Sequence, residues 1–257
     1  MTRQPSPFSR HHIDRRRFLE IGAASLGALA IGAPFQHGRG KLSSRPATPV
    51  EPLAPGRHVL GLGTGRDGLF YVPARYKPES PAPLVVMLHG AGGSAAGALR
   101  PFETLADERG FVLLAPESRS SSWDVRFGRF GPDVEFIDRA LVKVFRHCAI
   151  DPALVAVEGF SDGASYALSL GLTNGDLFRR VVAFSPGFVE LEDPAGKPPV
   201  FVSHGTRDRV LAIERTSRVI VPRLRRAGYR VDYKEFDGGH MVPREIAVEA
   251  AAWLTAE

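Results

Sequence analysis

The sequence predicts a single α/β domain: a doubly wound, mostly parallel sheet led by an N-terminal antiparallel hairpin. Three observations predict it. Five short apolar runs have the unbroken character of strands buried on both faces, amphipathic helical patterns lie between them, and two earlier runs are separated only by a glycine-rich turn. A chain of 257 residues with 44% hydrophobic composition is long enough to fill one core.

Residues 1–33 read as a targeting segment rather than as structure. Arg15-Arg16 is followed by Phe18-Leu19 and then by the uncharged run Ile21 to Ala30. This resembles a twin-arginine export signal, with Asp14 and Glu20 departing from the commoner serine and lysine. The resemblance implies a bacterial-type protein folded before export to the periplasm or beyond, cut after Ala30, with membrane contact only through the signal. The alternative is a short basic amphipathic or membrane-anchoring segment. Residues 34–55, rich in Pro, Gly, Ser and Arg without periodicity, read as a disordered linker, and residues 56–257 as the domain.

Within the domain, Arg57 to Leu62 and Leu69 to Val72 flank Gly63-Thr64-Gly65-Arg66-Asp67-Gly68, the pattern of a hairpin. The buried-strand runs are Leu84 to Leu88, Phe111 to Ala115, Leu154 to Val157, Val181 to Phe184 and Val200 to Val202. Val134, Ile137, Leu141, Val144, Phe145 and Cys148 recur at three-and-four spacing, one apolar helix face. A last strand-like run, Arg230 to Phe236, precedes a helical stretch from Pro243 to Leu254. Cys148, the lone cysteine, excludes an internal disulfide and falls on the helix's apolar stripe as a buried thiol.

Composition excludes some functions. The formal charge is +5, but five arginines against two acids in residues 1–33 carry +3 of it, so nucleic acid is not an expected partner. His37, His58 and His147 have no neighbouring ligand set, so no metal is expected, and no other cofactor is expected either.

The chemistry centres on Gly159-Phe160-Ser161-Asp162-Gly163, where a buried strand meets the helical start Ala164 to Leu170. In a doubly wound sheet, ligands gather at the carboxyl ends of the strands, and flanking glycines permit the sharp turn that presents a serine there. A serine hydroxyl at neutral pH needs help to act as a nucleophile. His240, on a loop after the last strand, is the candidate base. Asp208, just past Val200 to Val202, is the candidate orienting acid, with Asp237 and Asp232 as rivals. His89-Gly90-Ala91-Gly92-Gly93 follows the strongest strand and is suited to aim backbone N–H groups at an oxyanion, with Ala91 and Asp162 as the two donors. A nucleotide loop would need Lys-Ser or Lys-Thr after the glycines, which is absent. His89 is read either as support for this loop or as a catalytic group.

Taken together, residues 84–254 resemble an α/β-hydrolase, and the motifs from Leu88-His89-Gly90 to Gly239-His240 are similar to small phospholipase/carboxylesterases and polyhydroxybutyrate-depolymerase-like esterases. The first group usually carries glutamine after the serine, where Asp162 stands here. The resemblance implies a serine esterase acting on small-molecule or polymeric esters through an acyl-enzyme. A serine peptidase or perhydrolase would use the same trio, and a hydrolase-shaped binding protein would keep the fold without the chemistry. The long stretch Glu117 to Gly131 is read either as shaping the pocket, with Trp123 and Phe127 (and Phe130) as an apolar wall and Arg119, Arg126 and Arg129 near an acidic leaving group, or as a solvated loop anchored by its aromatics.

Overall fold

The computed structural model describes residues 40–63, 65–127, 129–191 and 193–256, with Arg126 and Phe127 described in their backbone alone. The segment expected to be an export signal, with Arg15, Arg16 and Ala30, lies outside the described residues, as does the Phe127 side chain.

The hairpin forms from β1 (Gly56–Val59) and β2 (Gly68–Val72), antiparallel with Val59 opposite Leu69. Six further strands follow: β3 (Ala82–Leu88), β4 (Val112–Pro116), β5 (Ile150–Phe160), β6 (Arg180–Phe184), β7 (Val200–Gly205) and β8 (Val231–Phe236). They make one eight-stranded sheet in the order β1-β2-β4-β3-β5-β6-β7-β8, with β2 antiparallel to β4 and the six later strands mutually parallel. Their carboxyl ends therefore lie along one edge.

Helices α1 (Ala95–Leu99), α2 (Glu103–Arg109), α3 (Pro132–His147), α4 (Asp162–Thr173), α5 (Ser217–Arg226) and α6 (Arg244–Thr255) cover the sheet. Val134, Ile137, Leu141 and Val144 of α3 join Leu168 and Leu172 of α4 and Val86, Val157 and Val181 of the sheet in one core. Ala247, Ala250 and Leu254 of α6 pack with Met87, Val182 and Phe201 in the other. Alternate residues of the central strands enter opposite cores, which is why these strands read as unbroken apolar runs.

Part of the expected linker is docked. From Gly40 onward the chain lies on α3 and α4: Asn174 Oδ1 accepts the Leu42 N–H (2.7 Å), its amide donates to Gly40 O (2.7 Å), and Asp138 accepts the N–H groups of Ser43 and Ser44 (3.0 and 2.8 Å). Two side chains thus satisfy a backbone that has no strand partner, and Leu42 is buried.

Candidate active site

Ser161 occupies the turn between β5 and α4 with φ 57° and ψ −116°, a conformation that costs a non-glycine residue roughly 1–3 kcal/mol. The turn is held from both sides. Ser161 N–H donates to Phe184 O (2.9 Å), and its carbonyl accepts from the N–H groups of Ala164 and Ser165 (3.0 and 3.1 Å). A Cβ on Gly159 would overlap the Gly163 carbonyl, and one on Gly163 would overlap the carbonyl oxygens of Leu88 and His89, so only glycine fits at either place.

Two loops bring the remaining groups to this serine. The segment after β7 is bonded to the segment after β8 through Thr206 N–H to Phe236 O and Arg207 N–H to Gly238 O, both 2.9 Å. Gly205 allows the approach, because a Cβ there would overlap the carbonyls of Gly238 and Gly239. Asp208 and His240 consequently face each other. The His240 Nδ1–H donates to Asp208 Oδ2 (2.6 Å), and Nε2 accepts the Ser161 hydroxyl (2.8 Å), the tautomer that this bonding network requires. The His240 ring leans on Phe160, with centroids 4.8 Å apart, and its side chain is 15% exposed.

Burial pushes the Asp208 carboxyl upward, but the N–H of Leu211, the His240 bond and the N–H of Val210 outweigh it and hold the group below the usual carboxylate range. The rival carboxylates are engaged elsewhere: Asp232 accepts the Trp253 indole N–H (2.6 Å), and Asp237 pairs with Arg207 on the surface (3.0 Å).

The glycine loop after β3 is folded by Gly93 N–H to Gly90 O (2.9 Å) and anchored by Gly92 N–H to Ser121 O (2.6 Å). Among the described residues, no carbonyl or side chain takes the N–H of Ala91 or of Asp162. His89 is buried beneath the loop: Nδ1–H donates to Gly90 O (2.8 Å) and Nε2 accepts from Ser118 N–H (3.1 Å). Burial holds its pKa below the ordinary histidine value, and both ring nitrogens are taken up in bracing the loop. Arg66 reinforces the loop, donating to Ser118 O (2.6 Å) and Gly93 O (2.9 Å).

Trp123 departs from expectation. It is wholly buried, its ring 4.9 Å from those of both His89 and Tyr166 and its indole N–H bonded to His89 O (2.9 Å), so it packs behind the site and lines no open wall. Phe130 is likewise buried, edge-on to Tyr166. Arg119 lies over the Phe136 ring at 3.5 Å and donates to Glu117 O. Arg66, Ser118, Ser122 and His204 are site supports that the sequence reading passes over. Their only signal is position: His204 ends a buried strand beside Asp208, and the two serines and Arg66 sit in loops at the same sheet edge. Among the described residues, no group of three or more His, Cys, Asp or Glu side chains is arranged to hold a metal ion.

Residues 61–243 match the family model described as Esterase, "Putative esterase". The chain belongs to this esterase family. This esterase-family chain is 29% identical over 160 residues to the bifunctional acetylxylan esterase/xylanase of Neocallimastix patriciarum, covering 58% of this chain and 22% of that one. It is 28% identical over 158 residues to feruloyl esterase C of Emericella nidulans, covering 58% and 57%. The chain thus spans less than two thirds of the length of these curated relatives. The solved structure of a ferulic acid esterase from the anaerobic fungus Anaeromyces mucronatus superposes with a TM-score of 0.59 at 20% identity, covering 80% of this chain and 91% of that one, a likeness of fold. The α/β-hydrolase architecture expected from the sequence is the one observed.

Proposed function

We propose that this chain hydrolyses carboxylic esters through an acyl-enzyme on Ser161. The observation that carries the reading is the unbroken bonded path from Ser161 Oγ through His240 to Asp208, 2.8 and 2.6 Å long, on the strained strand-to-helix turn. As Ser161 Oγ bonds to the ester carbonyl carbon, its proton passes to His240 Nε2, and the imidazolium is stabilised by Asp208 through Nδ1–H. The carbonyl oxygen becomes an oxyanion within reach of the free N–H groups of Ala91 and Asp162; one such donor is worth roughly 10²–10³ in kcat. Collapse breaks the bond to the alkoxide, which leaves with the proton from Nε2. Water then repeats the sequence on the acyl-enzyme, His240 taking its proton, and Ser161 is released with the free acid.

The substrate is proposed to be a short or accessible acyl ester, free or carried on a polymer. The acetylxylan and feruloyl esterases among its relatives support this, as does the partly exposed His240. Export by the twin-arginine-like leader would place the enzyme where such polymers are met. Replacing Ser161 by alanine tests the reading: turnover of p-nitrophenyl acetate should fall by at least about 10³-fold with an unchanged circular dichroism spectrum, and retained turnover would refute it. A graded series of acyl esters, acetylated and feruloylated xylan and a polyester film then defines the substrate.

A further inference from the structure

We infer that the segment from Ser118 to Trp123 is a strut fixing the separation of the two oxyanion donors, and that the Asp162 side chain, through Ser122 and Trp123, is the positioning residue that completes it. The inference rests on the reading of Ala91 and Asp162 as those donors.

The donors stand on separate loops, one after β3 and one after β5. The segment after β4 reaches both, although β4 neighbours β3 and not β5, so the chain must cross the end of β3 to meet Asp162. On the β3 side, Ser121 O accepts the Gly92 N–H (2.6 Å), the Trp123 indole donates to His89 O (2.9 Å), and Ser118 N–H donates to His89 Nε2 (3.1 Å). On the β5 side, Asp162 Oδ2 accepts the Ser122 hydroxyl (2.7 Å) and the Trp123 N–H (3.1 Å). The buried Trp123 ring is wedged between His89 and Tyr166, and Tyr166 belongs to the helix that Asp162 begins.

The same residue therefore offers its backbone N–H to the reacting oxygen and uses its side chain to tie that N–H to the opposite loop. Oxyanion stabilisation depends on donors fixed beforehand, and a misplacement of about 1 Å can cost on the order of 10²-fold in rate. The bonds also hold the carboxylate onto Ser122 and Trp123, where it serves as an acceptor.

The test measures kcat and KM for p-nitrophenyl acetate and the inhibition constant of phenylboronic acid, whose tetrahedral serine adduct places an oxygen at the donor pair. Asp162→Ala should lower kcat about 10- to 100-fold with KM within about twofold, and weaken phenylboronic acid by a similar factor. Asp162→Asn, which keeps an acceptor oxygen, should recover most of that loss. Ser122→Ala should cost roughly 3- to 10-fold in kcat, and the Ser122→Ala, Asp162→Ala pair should be no slower than Asp162→Ala alone. Wild-type kcat in Asp162→Ala, a loss confined to KM, or strictly additive losses in the pair would overturn the strut. Should Asp162→Ala not fold, Ser122→Ala decides alone: wild-type kcat in a folded protein overturns it. Ser161→Ala run in parallel separates the two levels. Activity in that variant sinks the esterase reading itself, whereas an inactive Ser161→Ala beside a fully active Asp162→Ala sinks only the strut.

Discussion

His204 Nε2 lies 3.2 Å from Asp208 Oδ2, with both side chains wholly shielded from solvent. The same nitrogen is 2.8 Å from Leu211 O, and Nδ1 accepts the Ser217 hydroxyl (2.7 Å), which leaves Nε2 as the protonated one. Asp208 is therefore held by a second histidine and two backbone N–H groups besides His240, and that second histidine is fixed within β7.

Replacing His204 by phenylalanine keeps a ring in place but removes these bonds. We expect a roughly tenfold loss of kcat/KM and about 1–3 kcal/mol of stability from the stranded polar groups. Burial holds the His204 pKa below the ordinary histidine value, so on acidification the unfolded chain takes up the proton first. The stability from the neutral form is complete above about pH 6.5 and is lost as pH falls toward and through the folded value. Thermal unfolding between pH 5 and 8 should show this acid-side decline weakened in the variant.

Glu158 gives the opposite sign. It sits in β5 between Met87 and Val182, buried, with Oε2 unpartnered, and burial pushes its pKa up to about 8. The folded state keeps a proton that the unfolded chain releases near its ordinary value, so this stability is present below about pH 4.5 and is lost as pH rises through about 8. Glu158→Gln should raise the melting temperature at pH 9, by on the order of 2 kcal/mol in stability, and flatten the decline from pH 6 to 9. An identical decline in both proteins would contradict this.

The elbow predicts a contrast between glycines. Gly163→Ala pushes a methyl group into the carbonyls of Leu88 and His89, and should cost about 3 kcal/mol or prevent folding. Gly239, beside His240, has open space where a Cβ would stand, and Gly239→Ala should cost less than about 1 kcal/mol. Urea unfolding midpoints compare the two.

Cys148 caps α3 inside the core, and burial pushes its thiol up to about 12. The native protein should not react with Ellman's reagent at pH 8, whereas guanidinium-unfolded protein should titrate one thiol.

The parts legible in the sequence are those where one local pattern has one physical cause. A strand with one face in water alternates apolar and polar residues, so an unbroken run such as Leu84 to Leu88 betrays a strand enclosed by two cores. In the same way, glycines around Ser161 betray a turn too tight for side chains. Strand order is not local: β2 lies against β4, a choice settled by pairing across the sheet. The short α1 and α2 leave too few turns for a period, and α5 carries Pro222 among arginines, which masks its buried Ile220, Val221 and Leu224. Residues 40–45 look like linker because their anchors are remote in sequence, Asp138 standing 95 residues from Ser43 and Asn174 standing 132 from Leu42. Trp123 looks like a pocket wall because an aromatic residue in a long loop gives no sign of whether its ring turns inward to His89.

The central claim is that one hydroxyl in this chain takes the acyl group, and covalent labelling reads it directly. Intact protein treated with a fluorophosphonate should gain a single adduct, mapped by peptide mass spectrometry to Ser161, and the adduct should vanish in His240→Ala. An adduct on another serine, or none on a folded protein that still cleaves p-nitrophenyl acetate, would contradict the account.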